Sequence, residues 1–329
     1  MRVLLVVLAA ALLNGLYFVL RAVARAMAHW RRTMFIGPYK VIQEIGKGGM
    51  GTVYKAQDVT NHDMVALKVL DQFVPDDTRK KRFLQESMIC ETLQHPNIVR
   101  IFNKGEHSDR VYFAMECVDG VTLRQWIDSE EVSPQVALMM IAILKDALNY
   151  MHGQGVVHRD FKPENIMIDR SITVEKLPVS AKGLAMLGSS VRLLDFGLAK
   201  AVGYESITRT GVLAGTVSYL PPEYISGQKE VGPYLDFYAL GIILYELLTG
   251  AGPFPGSDYV TLIYSIMKRK PDAACDVNPD VPQDVSYFTM ALIERVPNAR
   301  LMNSDEIDKW LTGMVERYVL QPEAAAPTL

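Results

Sequence analysis

The sequence predicts an α+β fold in which a β-rich first part precedes a mainly helical second part. Three observations predict it. Short runs rich in β-branched and aromatic residues fill the stretch from Tyr39 to Cys117. A glycine-rich turn joins the first two of them. After Gly120, apolar residues recur at helical spacing. The change of pattern near 117–120 implies two lobes with a cleft between them.

Taken in order, Tyr39–Ile45 runs into the glycine turn and Thr52–Ala56 returns from it, a hairpin signature. Met64–Leu70 is the third strand. Residues 78–94 switch to helical spacing, with Phe83, Met88, Ile89 and Leu93 on one candidate face. Strands follow at 98–104 and 110–117. Helices are predicted over 133–152, 235–249, 258–269, 284–293 and 304–318. Phe237–Leu248 is apolar but carries Glu246, and its 12 residues suit a buried helix better than a membrane span. No internal repeat is evident. The Pro/Ala-rich tail, 320–329, is predicted to be disordered.

The N-terminus is different in kind. Val3–Leu20 is apolar except for Asn14, and as a helix it would be about 27 Å long at roughly 1.5 Å per residue. Arg21, Arg25, Arg31 and Arg32 follow it, whereas only Arg2 precedes it. The positive-inside rule then places the rest of the chain in the cytoplasm. Residues 1–34 are therefore expected to form a single-pass membrane anchor, with a transmembrane helix at about 3–22 and a basic juxtamembrane segment. Three alternatives compete: a cleaved signal peptide ending near Ala26-Met27-Ala28, a buried core helix, and a soluble cytoplasmic chain starting at Met27 or Met34.

Composition narrows the function. With 49% apolar and 22% charged residues, the chain can build its own core. A net charge of −3 lacks the basic excess of a nucleic-acid binder, so no nucleic-acid partner is expected. Cys90, Cys117 and Cys275 form no C-x-x-C, which argues against zinc and redox sites.

The glycine turn contains Gly46, Gly48 and Gly51 in a G-x-G-x-x-G pattern that brings backbone amides close to phosphate oxygens. A dinucleotide fold would need a helix after the last glycine, and Thr52-Val53-Tyr54 reads as a strand. No G-K-[ST] is present, which excludes a Walker-type loop. Lys68 stands in an apolar strand and needs an anionic partner, either phosphates or Glu86, unless it faces solvent. His158-Arg159-Asp160-Phe161-Lys162-Pro163-Glu164-Asn165 is the strongest signal. Asp160 can orient a hydroxyl and accept its proton. Lys162 can neutralise a transferring phosphoryl group, and Asn165 offers an uncharged oxygen to a metal. His158 is expected to hold the loop rather than to ligate a metal. In Leu194-Asp195-Phe196-Gly197, Asp195 supplies the carboxylate that a hard Mg²⁺ prefers.

Together these motifs resemble the eukaryotic-type protein kinases over about residues 39–319. The nearest type is the bacterial serine/threonine kinases with one membrane span. Lys47-Gly48-Gly49-Met50-Gly51, Leu93-Gln94-His95-Pro96-Asn97-Ile98-Val99 and the spacing of Thr208 and Thr210 carry that likeness. The resemblance implies the bilobal protein kinase fold over 35–319. Its N-lobe, 35–117, would be an antiparallel sheet plus one helix, and its larger, mainly helical C-lobe would be 118–319. It implies ATP as phosphoryl donor, Mg²⁺ with Mn²⁺ able to substitute, protein substrates and a transient homodimer. Ile45, Gly46, Gly48 and Gly51 would cover the nucleotide, Val53 and Ala66 would pack on the adenine, and Lys68 would bind phosphates while paired with Glu86. Met115 would be the gatekeeper and Glu116 to Val118 the hinge. Asp160 would accept the proton, and Asn165 and Asp195 would hold the metal. Glu223 would pair with Arg300, and Asp236 would brace the catalytic loop. Lys162 and Gly215-Thr216 point to serine and threonine rather than tyrosine. Thr208 and Thr210 would be autophosphorylated, with Arg159 near enough to meet the phosphate.

Two departures stand out: Pro221, and a long gap between Asn165 and Asp195. The gap makes residues 170–190 an insertion, expected as a surface loop extension, with a docking element as the alternative. The competing function is a pseudokinase-type nucleotide-binding scaffold. It predicts loss of Lys68, Asp160 or Asp195, and all three are present.

Overall fold

The computed structural model describes residues 34–48, 51–70, 91–108, 110–194, 217–228 and 230–322. The expected anchor, Glu86, Asp195, Thr208, Thr210 and the tail from residue 323 lie outside the described residues. The chain divides into two compact units, residues 1–74 with 103–117, and residues 75–102 with 118–329.

The first unit is built on a six-stranded sheet in the order β1-β2-β3-β4-β6-β5. The strands are β1 (Phe35–Ile36), β2 (Tyr39–Gly48), β3 (Gly51–Asp58), β4 (Met64–Leu70), β5 (Ile101–His107) and β6 (Arg110–Glu116). β1 to β4 pair antiparallel in sequence, and β4 pairs antiparallel with β6. β4 is buried along nearly its whole length, as its unbroken apolar run demands. Ile36, Tyr39, Val65, Leu67 and Tyr112 form the core beneath it. The Tyr112 hydroxyl lies close to where a Cβ at Gly37 or Gly105 would stand, 2.1 and 2.5 Å away, so a larger residue at either position would have to displace that ring. Gly37 also has a φ of +56°.

The second unit adds a small antiparallel sheet, β7 (Gly120–Thr122), β8 (Ile166–Asp169) and β9 (Val191–Leu193). Helix α1 (Leu123–Ser129) begins with a capping box in which Thr122 and Gln125 satisfy each other's backbone. Helix α2 (Pro134–Gly153) starts at Ser133, whose hydroxyl accepts from Val136 N, with proline in its first turn. The remaining helices among the described residues are α3 (Ala181–Ser190), α4 (Pro222–Ile225), α5 (Tyr234–Thr249), α6 (Tyr259–Lys268), α7 (Ala274–Val277), α8 (Gln283–Leu292) and α9 (Ser304–Val315), which runs into a π-helical turn, Glu316–Leu320.

α5 is the axis of this unit. It is buried from Leu235 to Leu248, and α2 and α8 pack against it. That accounts for the 12-residue apolar run as a core helix. A Cβ on Gly241 would come within 2.6 Å of Leu292 Cβ, so α5 and α8 cross closely there. Among the described residues, no helix is long and apolar enough to cross a membrane.

The insertion lies at the surface as expected, but it is partly helical rather than a loop extension. It holds a 3₁₀ turn at Val174–Lys176 and then α3, where Gly183 N donates to the Ser180 hydroxyl. Leu177 and Leu187 are buried. Gly183 lies so close to Pro178 O that a Cβ would sit 1.8 Å from it. The segment therefore packs against α2 and β8. Its small residues resemble loop composition, but here they permit close packing.

Candidate active site

In the first unit, Gly46 pairs with Val53 and Gly48 with Gly51 across the β2–β3 hairpin. Gly51 is glycine for a reason within the chain, because a Cβ would meet Val69 O at 2.1 Å. Gly46 and Gly48 have no such reason. Among the described residues, a Cβ would find its nearest neighbours at 3.9 and 4.0 Å, and neither has positive φ. Their absent side chains suit the approach of something outside the chain. Ile45, beside them, is exposed.

Lys68 lies in the middle of β4, opposite Val53 on one side and Phe113 on the other. It is only 7% exposed, which removes the solvent-facing alternative, and its ammonium stands 5.5 Å from the Phe113 ring centre. Ala66 pairs with Met115, and both are buried. Val65 pairs with Glu116 at the end of β6. Val118 is half-buried and falls in the second unit.

The catalytic loop is assembled in the second unit around Asp236, which is 1% exposed in the first turn of α5. Its Oδ2 accepts from His158 N at 2.8 Å and stands 2.8 Å from His152 Nε2. Its Oδ1 accepts from Arg159 N at 3.0 Å. Arg159 has a φ of +66°, a conformation that a non-glycine residue keeps only when its surroundings impose it. The Asp236 carboxylate imposes it. His158 is fully buried, with Nε2 3.0 Å from Leu194 O and Nδ1 accepting from Asp160 N at 3.3 Å. Both ring nitrogens are thus spent on backbone groups, so His158 holds the loop and is no metal ligand.

Three polar side chains converge on this loop. Lys162 Nζ stands 3.2 Å from Asp160 Oδ2. Asn165 Nδ2 donates to Asp160 O at 2.8 Å and to Asp160 Oδ2 at 3.1 Å. With Nδ2 committed to Asp160, the Asn165 side chain keeps Oδ1, an uncharged oxygen of the kind that a hard cation takes. Leu194 N donates to Asn165 O at 2.7 Å, which brings the chain entering Asp195 beside Asn165.

Below the loop, Glu223 and Arg300 form a bidentate pair of 2.6 and 2.9 Å. The Arg300 side chain is fully buried, and its remaining donors reach Glu294 O and Arg295 O.

One cluster escapes sequence reasoning. Glu246 accepts from Arg124 Nη2 at 2.5 Å and from the Tyr219 hydroxyl at 3.0 Å. Burial raises the Tyr219 phenol well above the usual tyrosine range, and the Glu246 charge adds to that. Burial works against the Arg124 charge, but Glu246, Tyr219 and Asp128 together outweigh it and raise the guanidinium's pKa. A lone glutamate in an apolar helix signals that a partner must exist without saying which.

Comparison with known proteins agrees with this geometry. The protein kinase domain family matches residues 39–311. The probable serine/threonine-protein kinase PknB of Lactococcus lactis is 37% identical over 253 residues, 76% of this chain and 38% of that protein. Serine/threonine-protein kinase PrkC of Bacillus subtilis is 34% identical over 274 residues, 83% of this chain and 40% of that protein. Serine/threonine-protein kinase PknB of Mycobacterium tuberculosis is 33% identical over 277 residues, 82% of this chain and 41% of that protein. The chain thus spans about two fifths of the length of these relatives. With the family matching most of its length, and with the loop around Asp160 built as described, the chain belongs to the protein kinase domain family.

Proposed function

We propose that the chain is a serine/threonine protein kinase that transfers the γ-phosphoryl of ATP to hydroxyls of proteins. The observation that carries this is the constellation of Asp160, Lys162 and Asn165, held on Asp236 in a strained loop. Asp160 Oδ2 receives the substrate hydroxyl proton as the oxygen attacks phosphorus. Lys162, beside the same oxygen, offsets the charge that moves with the phosphoryl group. Lys68, paired with Glu86, binds the α- and β-phosphates. Gly46 and Gly48 let the β2–β3 turn lie over the phosphates, while Val53, Ala66 and Met115 line the adenine side with the backbone of Glu116 to Val118. Asn165 and Asp195 would hold Mg²⁺, which when bound neutralises phosphate charge. The names of the relatives favour serine and threonine over tyrosine, as do Lys162 and Gly215-Thr216.

Thr208 and Thr210 are the autophosphorylation sites, and Arg159, next to Asp160, is the cation that would meet the phosphate. Residues 3–22 anchor the chain in a membrane, supported by the apolar run and the arginines that follow it.

Separating binding from transfer tests the proposal. Asp160→Asn should bind Mg·ATP with affinity close to wild type and lose about 10²–10⁴-fold in phosphoryl transfer. An Asp160→Asn chain that transfers phosphate at the wild-type rate would refute the assignment. Mass spectrometry of the wild-type chain after incubation with ATP should find phosphate on Thr208 or Thr210. A double alanine variant with unchanged activity and phosphate incorporation would remove the activation-loop sites.

A further inference from the structure

We infer that Asn97 is a positioning residue for β9, the strand that leads toward the proposed metal ligand Asp195, and that the inserted helix α3 is the brace through which it acts. The inference rests on the kinase function proposed above. β8 and β9 form a hairpin whose connection, residues 170–190, is long. A long connection restrains its strand ends weakly, so β9, only three residues long, needs another hold. Asn97 provides it.

Asn97 is a buried polar residue, 6% exposed, outside the catalytic loop and far from it in sequence. Its Nδ2 donates to Gly188 O at 2.5 Å and to Val191 O at 2.9 Å. Gly188 lies in the last turn of α3, where carbonyls lack partners inside the helix. Val191 opens β9. One side-chain amide thus ties the end of the insertion to the start of the strand. Only an amide presents two N–H groups from a short side chain here; aspartate would place oxygens against both carbonyls.

The backbone extends the hold. Leu193 N donates to Asn97 O at 2.7 Å and Val99 N to Leu193 O at 3.0 Å. Leu194 N then donates to Asn165 O at 2.7 Å, and Leu194 O stands 3.0 Å from His158 Nε2. Asn165 in turn donates to Asp160. A continuous series of short hydrogen bonds therefore runs from α3 through Asn97 and β9 to Asn165 and Asp160. The next residue after Leu194 is Asp195. α3 is itself fixed by buried Leu177 and Leu187 and by the close approach of Gly183 to Pro178 O. The insertion is thus a fixed abutment for β9, and Asn97 transmits its position to the metal ligands.

The test uses the full chain as wild type, Asn97→Ser and Asn97→Ala, with folding checked by circular dichroism. Two quantities are read. One is hydrogen exchange at the Leu193 and Leu194 amides without metal or nucleotide. The other is the Mg²⁺ concentration giving half-maximal phosphoryl transfer. Asn97→Ala should speed exchange and raise half-saturating Mg²⁺, each about tenfold, as loss of an outer-shell support does. KM for a peptide substrate should stay unchanged. Asn97→Ser, which keeps one donor, should fall between. Exchange and Mg²⁺ requirement both within about twofold of wild type in folded Asn97→Ala would overturn the inference, on the same outer-shell scale. If Asn97→Ala does not fold, Asn97→Ser is judged by the same limits, and unfolding of both would make Asn97 a folding residue only. A wild-type chain that transfers no phosphate would refute the proposed activity instead, and the exchange measurement would still decide the role of Asn97.

Discussion

Asp236 shows how much one carboxylate can organise. It accepts two consecutive backbone amides and faces His152, all from inside the core. Replacing it with asparagine removes one acceptor oxygen, so the left-handed Arg159 loses its restraint. Asp236→Asn should lower phosphoryl transfer at least about tenfold while leaving ATP affinity near wild type, because it acts through the loop that holds Asp160. Isothermal titration with ATP beside a rate measurement separates the two effects. Tyr238, two residues along the same helix, is the opposite case. Its hydroxyl is buried and has no hydrogen-bond partner among the described residues. Burial pushes its phenol well above the usual tyrosine range, and Arg300 nearby only partly offsets this. The unfolded chain releases this proton near pH 10 whereas the folded chain retains it. Stability from this group is therefore complete below pH 10 and falls as pH rises beyond it. Tyr238→Phe should cost less than about 1 kcal/mol at pH 7, since no hydrogen bond is lost. It should also flatten the alkaline loss seen in urea titrations above pH 10. At this scale, His158 and Asp236 were legible in the sequence because their motifs fix them. The partners of Glu246 were not, because Arg124 lies 122 residues away and neither residue belongs to a motif.

Among the elements, those with a long, unmixed pattern were legible. Met64–Leu70 is one strand as expected, and the helices predicted at 133–152, 235–249 and 284–293 appear at Pro134–Gly153, Tyr234–Thr249 and Gln283–Leu292. β1, β7, β8 and β9 were not foreseen, since two to four residues are too few to show a period. The strand predicted at 98–104 begins three residues later, at Ile101. The insertion was misjudged as loop because Gly183 and Gly188 dilute its helical pattern, although Ser180 before Ala181-Lys182 was a readable N-cap. If α3 is part of the core, Leu187→Ala should destabilise the chain by about 2–5 kcal/mol in equilibrium urea unfolding. A loose surface loop would register under about 0.5 kcal/mol for the same change.

Across the whole molecule, the two units rest on different kinds of order. The first is held by one sheet and its apolar core, and the second by α5 with buried ion pairs around it. Glu223 and Arg300 tie the start of α4 to the segment before α9. Arg300→Ala should cost about 3–5 kcal/mol, because Glu223 and two backbone carbonyls lose their partner in a buried site. A lowered Tm reports this directly. Whether the chain is membrane-bound is equally measurable: the full sequence should sediment with membranes, and residues 34–329 should not. These properties describe the frame, whereas the proposed activity is one event at Asp160. The most direct measurement is transfer of label from γ-labelled ATP to the purified chain and to a serine- and threonine-containing protein, followed by acid hydrolysis and separation of phosphoamino acids. Labelled phosphothreonine or phosphoserine with Mg²⁺ present, absent in Asp160→Asn, is the predicted result. Label only on tyrosine, or no label in wild type with Mg²⁺ and ATP supplied, would contradict it.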